Sequence, residues 1–591
     1  MIPHRSTALL TIIVFVALLL VIFSASPRPD SSSGEVTGPA SYVPRPKLPS
    51  LSDLHLPSFH PTVHTPPEPQ PNSTSGESKW FSNWAWINPF SSSITLDENR
   101  SVLPPLRHRP FIYTYYEPTK GDDEKDTQQA DAQILLAWRR AWFAQGFRPV
   151  ILGRAEAMNN ELYSLMQPMK LTPKLENELF RWLAWGHMGD GLLADWHCFP
   201  MARYDDDLLS SLRRGTDPAV ITRFDRIDSA LFAGEKTRIN NAIKEAVKKA
   251  SETSNSMLDL VPPEFFRNES PPTSLAFYDS ATIHSHYPTL SEESSSTAGR
   301  LALAELINAH LHNTFQNAFP AGLAVLKPFT EHTTALVEPA LRLAKALVQC
   351  PKSPVPSSCP PNQPKCHPCD AGKPMQLSQP ATYRNTTRVF TIGTLPHPYT
   401  LISLQQDSAE VTTRHIRRET ERDPWLTEVT KEQLGVDIGG SSRAVVFKKA
   451  VADDAVVGTS LWMTVESLPS EAGQSLPTDL LDEFEWQFGF QIPREDNNVD
   501  PKNEGDRKES VQNANPSRQG VTKEYDILKQ AREVLKSKET NRIGIKDVAE
   551  AWNLADTEVW RFVRAYRARS VVERKKWQED EKDFVGAKLK A

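Results

Sequence analysis

The sequence predicts an α/β fold with a parallel sheet, preceded by an apolar N-terminal segment and followed by a small helical region. Three observations predict it. Arg109–Tyr116 (RPFIYTYY) has the aromatic and β-branched content of a strand. Asp131–Gln145 places Ile134, Leu135, Trp138 and Trp142 at helical spacing, and Phe147–Gly153 is a second apolar strand. Strand, helix and strand within about 45 residues make a βαβ unit. The second observation is a helix, a glycine-containing turn and an apolar strand in Phe180–Met201 (FRWLAWGHMGDGLLADWHCFPM). The third is the uncharged apolar run Ala8–Ala25.

The 591 residues exceed one compact domain. A hydrophobic content of 39% allows a sizeable core, and 48 prolines signal long irregular regions. With 67 basic against 73 acidic residues the net charge is −6, which carries no global signal for binding a polyanion.

Taken in order, residues 1–7 read as a cytosolic tail carrying His4 and Arg5, and 8–25 as a transmembrane signal anchor. Eighteen apolar residues lie near the lower limit for a bilayer span, and the preceding positive charge keeps the N-terminus cytosolic. A cleaved signal peptide competes, because Ser24-Ala25-Ser26 offers small residues. Residues 26–79 are Pro/Ser/Thr-rich without hydrophobic periodicity and read as a disordered stem. Anchor, stem and a lumenal α/β domain over 80–493 give the layout of a single-pass type II protein of the Golgi or endoplasmic reticulum membrane. The sequons at Asn72, Asn99 and Asn385 agree with lumenal exposure, while a proline after Ser270 disfavours the one at Asn268.

Within that domain, Thr172-Pro173 supplies an N-cap and a first-turn proline, and Leu175, Leu179, Trp182 and Leu183 follow on one helical face. Asp205-Asp206-Asp207 reads as a helix cap and solvated turn, with a second acidic site as the alternative. Asp228–Ser251 is an amphipathic helical stretch interrupted at Gly234. Ser274–Tyr287 reads as a strand with Asp279, His284 and His286 near its end, the histidines forming a weak ligand pair. Ser294–Thr314 and Thr330–Val348 are helices. Thr387–Gln405 is two strands around a turn holding His397, Ala444–Lys448 and Gly458–Ser467 are the last strands, and Asp479–Phe490 is a helix.

Cys350, Cys359, Cys366 and Cys369 lie in a Pro-rich loop, 350–370. In a lumenal setting two disulfides fit better than a zinc knuckle, since only the last pair has close ligand spacing, and three pairings are open. Cys198 is the odd thiol. After a linker over 494–520, residues 521–591 are helical and charged. Ile545–Ala549 followed by Leu554, Val559, Phe562 and Val563 reads either as a helix-turn-helix or as a hairpin presenting Arg564, Arg567 and Arg569 to solvent.

The chemistry concentrates at Asp195 and His197. On a strand, residues i and i+2 point the same way, so the two would leave it together while Trp196 faces the other side. An oxygen and a nitrogen ligand side by side suit Mn²⁺ or Mg²⁺, with phosphate oxygens completing the shell. The stretch from Arg181 through Gly189-Asp190-Gly191 to Asp195-Trp196-His197 resembles the DXD-containing, mannosyltransferase-like glycosyltransferases. Their signature is an arginine, a Gly-Gly turn and x-Tyr-x-Asp-x-Asp. Here Asp190 replaces one glycine, Leu193 the tyrosine and His197 the second acid.

The resemblance covers roughly 109–203. It implies a Rossmann-like nucleotide-sugar transferase (GT-A-like) domain and transfer of a sugar from a nucleotide diphosphate donor to a glycan or glycoprotein. Asp195 and His197 would hold the metal, and Arg181, Gly189, Asp190 and Gly191 would contact the donor. No nucleic-acid partner is expected. Asp279 and His397 are the candidates for a catalytic group. The alternatives are a non-catalytic membrane protein whose similar domain binds glycans or proteins, and a tethered regulator with a helix-turn-helix-like C-terminus.

Overall fold

A computed structural model of the chain describes residues 63–67, most of 103–494, and 554–584 together with 526 and 529. Within these stretches 105–106, 119–123, 216–218, 228, 292–295, 328–333, 385, 398–423, 439, 465–475 and 583 are left out. Residues 60–591 form one compact unit, and residues 1–59, a second unit, lie outside the described residues.

The chain enters through β1 (Phe111–Tyr115), α1 (Glu124–Ala144) and β2 (Arg148–Leu152). The two strands pair in parallel over their whole length, Phe111 opposite Arg148. The short α2 (Arg154–Met158) leads to α3 (Pro173–Met188), which Thr172 caps by accepting a hydrogen bond from the Leu175 amide at 3.3 Å. β3 (Gly191–Ala194) returns beside β1, also parallel.

Further strands and helices follow in the chain. They are β4 (Cys198–Pro200), α4 (Asp207–Arg214), β5 (Ile221–Phe224), β6 (Leu231–Gly234), α5 (Lys236–Lys249), β7 (Phe266–Glu269) and β8 (Leu275–Phe277). Six strands stand in the order β2-β1-β3-β6-β5-β7, while β4 and β8 form a separate antiparallel pair. Only β6 runs against its neighbours.

Side-chain alternation builds the two faces. Ile112, Leu192 and Ala194 enter one core with Trp138, Trp142 and Phe147 from α1 and its exit, whereas Tyr113, Leu193 and Phe232 enter another with Trp182 and Trp185 of α3. The first core continues through α6 (Ser280–His286) and α7 (Thr297–Ala318) to a second sheet. That sheet comprises β9 (Leu323–Leu326), β10 (Leu377–Ser378), β11 (Phe390–Leu395) and β12 (Ser460–Thr464), all parallel in the order β10-β9-β11-β12, with α8 (Thr334–Val348) between β9 and β10.

On β12, Leu461 and Met463 face the first core. Trp462 faces a third core formed with α9 (Pro424–Leu434), α10 (Gly440–Val457) and α12 (Leu554–Asp580). α11 (Thr478–Phe488) packs on α1 through the Arg140–Glu485 and Arg140–Asp482 pairs, each 2.9 Å.

The structure corrects the expected fold class. The architecture is α/β but consists of several sheets. Among the described residues no helix is long and apolar enough to cross a membrane, and the expected span over 8–25 lies outside them. A transferase-type domain behind a membrane helix is therefore withdrawn as the fold class. Nor is the C-terminal region a separate helical part, because Val559, Phe562 and Val563 of α12 are buried in the third core. α12 is one uninterrupted helix of 27 residues, and Ile545–Ala549 lie outside the described residues. Arg567 is not presented to solvent. It is 18% exposed and pairs with Glu483 at 3.5 Å.

Local corrections have local causes. Ala444–Lys448 lies inside α10, because a short apolar run fits a buried helix as well as a strand. The stretch 228–251 contains β6 before α5, with Gly234 ending the strand instead of interrupting a helix. Only 275–277 of the expected strand 274–287 is extended, because the Asp279 carboxylate accepts from the Thr282 amide at 2.8 Å and starts α6. The second strand of 387–405 falls in the residues left out. Within the expected stem, residues 63–67 are placed, and His64 is buried between Glu156 and Glu581.

Candidate functional site at the end of β3

The order β2-β1-β3 means that the chain leaves β1 toward one edge and returns on its other side. The carboxyl ends of β1 and β3 therefore flank a topological switch point, where open α/β sheets bind ligands. β1 runs on into Tyr116 and Glu117, and β3 into Asp195, Trp196 and His197. The Tyr116 and Trp196 rings meet edge-on at 5.5 Å across the two ends.

Asp195 and His197 do not leave a strand together. β3 ends at Ala194, and the Cys198 amide donates to the Asp195 carbonyl at 2.9 Å, closing a β-turn with Trp196 and His197 at its centre. The Asp195 carboxylate accepts from the His197 amide at 2.9 Å and lies 3.1 Å from ring Nδ1, so an Asx-turn, and not strand alternation, brings the two side chains together. Both side chains are 25% exposed. Burial alone would raise the Asp195 carboxyl. The hydrogen bond and charge of the His197 ring, the Arg181 guanidinium and the His197 amide outweigh it and hold Asp195 at about 2.

Arg181 reaches this end of the sheet because α3 runs back along β3. Its Nη2 donates to the Ser229 carbonyl at 2.8 Å. Burial pulls the guanidinium below its ordinary value, against Asp195 and Glu178, which raise it. The expected candidate Asp279 follows β8. Cys198 pairs with Phe277, the Tyr278 amide donates to the His197 carbonyl at 3.1 Å, and the same register carries Asp279 to the turn. Its carboxylate caps α6, however, and is engaged there.

Two expected contributors lie elsewhere. Gly189 (φ +95°), Asp190 and Gly191 (φ +138°) sit at the amino end of β3, about 13 Å of strand from Asp195. Asp190 accepts from the Lys236 amide at 3.0 Å, so this turn closes α3 onto β3 and does not line the same pocket. A Cβ at position 191 would meet the Phe111 carbonyl at 2.9 Å, which explains the glycine by close approach. His397 follows β11 on the other sheet and packs edge-on against Trp560 at 4.9 Å. His284 and His286 lie in the last turn of α6.

Sequence reasoning missed Asp131 and Arg300. The Asp131 side chain, 1% exposed, accepts from the Tyr116 hydroxyl at 2.9 Å and pairs with Arg300 at 2.6 Å, tying β1, α1 and α7 together beside the switch point. The signal was present: Ala130, Asp131, Ile134 and Leu135 share one helical face, and a carboxylate on an apolar face requires a partner.

Two ligands of one cation at about 2.1–2.2 Å stand roughly 3 Å apart when cis. The 3.1 Å between Asp195 Oδ1 and His197 Nδ1 fits that spacing as well as it fits a hydrogen bond. Among the described residues no group of three or more His, Cys, Asp or Glu side chains could hold a metal, so other oxygens would have to complete the shell. The sequons at Asn72, Asn99 and Asn385 lie outside the described residues. In the Pro-rich loop Cys350 is bonded to Cys369 and, nested inside, Cys359 to Cys366, while Cys198 is buried and free. Burial pushes the Cys198 thiol up, away from a reactive thiolate.

No curated protein and no solved structure matches the chain. The likeness to glycosyltransferases therefore rests on the motif residues. A family model spans residues 74–590, and the chain belongs to that family, described as Domain of unknown function (DUF8765).

Proposed function

We propose that the chain is a glycosyltransferase that takes a sugar from a nucleotide diphosphate donor at the carboxyl ends of β1 and β3. The observation that carries the reading is the Asp195–His197 pair, half-buried at the switch point with the Arg181 guanidinium behind it. Asp195 stays anionic throughout the physiological range, and Arg181 keeps a fixed positive charge beside it. The partly exposed Trp196 ring, backed edge-on by the buried Tyr116, offers aromatic surface suited to a sugar or base. Asp195 and His197 would hold a divalent cation, Mn²⁺ or Mg²⁺, which when bound neutralises charge on a leaving diphosphate. Asp279, which the β4–β8 register carries toward the turn, is the candidate for contacting the acceptor. The two disulfides support residence in an oxidising compartment such as the Golgi or endoplasmic reticulum lumen.

A second reading, a non-catalytic domain that binds glycans or proteins, draws on the Asx-turn, because Asp195 already has two donors within its own turn. Release of nucleoside diphosphate from a panel of nucleotide sugars with Mn²⁺ separates the two. Turnover abolished by Asp195→Asn and by His197→Gln supports the transferase. A folded protein that neither binds nor cleaves any donor supports the second reading.

A further inference from the structure

A large cavity lies apart from the Asp195 turn, none of whose residues line it. It has a volume of about 1000 Å³ and opens between the amino ends of β1 and β2, α11 and the last half of α12. That volume is at the upper end of the range for small-molecule sites. Six guanidinium groups line it: Arg107, Arg109, Arg148, Arg567, Arg569 and Arg574. The carboxylates are fewer, namely Asp453, Glu483, Glu573 and Asp580. Of these Glu483 is taken by Arg567. Burial raises the carboxyls of Asp453 and Glu573, the latter against Arg569 and Arg109, which weakens their hold on negative charge.

The decisive observation is Arg574. Its side chain is 4% exposed, its Nη1 donates to Asp482 at 3.3 Å and to Gln578 at 3.0 Å, and its Nη2 is buried without a hydrogen-bond partner among the described residues. The buried Nε of Arg148, also on the cavity wall, is likewise without one. A buried guanidinium donor left unmatched is costly unless an acceptor arrives. The same wall carries the rings of Trp462, Trp486, Trp577, Tyr204 and Tyr566. Arginine forks match phosphate, and flat aromatic walls match a flat ring.

We infer that this cavity binds a phosphate-bearing ligand with a planar ring, of the nucleoside phosphate class, at a site separate from the Asp195 turn. The test is isothermal titration of ADP into the full chain in EDTA, with adenosine and inorganic pyrophosphate titrated alongside. ADP is expected to bind more tightly than either fragment and at least tenfold more weakly to Arg574→Gln. Arg574 also anchors α12, so Arg107→Gln, at an exposed position on the wall, serves as the second variant and is expected to weaken ADP as well. Asp195→Asn is expected to leave ADP binding unchanged. No ADP binding in EDTA, binding indifferent to both arginine changes, or binding lost in Asp195→Asn would overturn the proposal. The proposed transferase site requires a metal and Asp195, so its own failure would leave these results untouched.

Discussion

His197 gives Asp195 two hydrogen-bond contacts, one from its amide at 2.9 Å and one at ring Nδ1, 3.1 Å away. The carboxylate is thereby held anionic, at about 2. A carboxyl depressed in the folded state stabilises the fold above its unfolded pKa, and that contribution is lost as pH falls through the folded value. The expected loss is up to about 2 kcal/mol between roughly pH 4 and pH 2. Urea unfolding over that window checks it, since Asp195→Asn removes this part of the slope. An identical slope in the variant would contradict the coupling.

His64 works in the opposite sense. Its ring nitrogens lie 2.8 Å from Glu156 and 2.9 Å from Glu581, and its ring stacks on Phe584 at 3.5 Å. Burial lowers its pKa, but hydrogen bonds and charge from the two carboxylates outweigh that and raise it to about 9. A raised histidine stabilises fully below its unfolded pKa of about 6.5, and the contribution is lost as pH rises toward 9. Thermal unfolding at pH 6 and pH 9 is expected to show His64→Gln less stable by about 3 kcal/mol at the lower pH, with the gap closing at the higher.

Asp131 has almost no access to water, so its ion pair with Arg300 cannot be replaced by hydration. Arg300→Ala is expected to cost about 3–5 kcal/mol by stranding the carboxylate. Asp131→Asn in the same background should recover part of it. Chemical denaturation of the single and double variants measures the coupling, and additive losses would contradict it.

The nested disulfides close loops of 19 and 7 residues in sequence separation. Replacing Cys350 and Cys369 by alanine is expected to cost about 2–3 kcal/mol, the larger loss, because the longer loop restricts the unfolded chain more. Melting curves of the two double variants rank them, and the reverse order would contradict the loop argument.

Much of the fold was legible where one residue pattern admitted one answer. RPFIYTYY, the Ile134–Trp142 stripe and Thr172-Pro173 place β1, α1 and α3 because strand and helix periods differ there. Legibility failed at short segments. β5 and β6 are four residues each, too short for a period, and AVVF in α10 fits either state. At the site, the residues Arg181, Asp195 and His197 could be named from sequence. Their geometry could not, since an Asx-turn is decided by hydrogen bonds and not by alternation. The Asp131–Arg300 pair joins residues 169 apart in sequence, and nothing local predicts that partner.

The central claim is a metal-assisted donor site at Asp195 and His197, and titration of Mn²⁺ followed by UDP or GDP into the full chain tests it most directly. The account predicts a Mn²⁺-dependent component of nucleotide binding, over and above any metal-free binding seen in EDTA, that disappears in both Asp195→Ala and His197→Ala. A Mn²⁺-dependent component that persists in these variants, or a folded wild type whose nucleotide binding gains nothing from Mn²⁺, would contradict it.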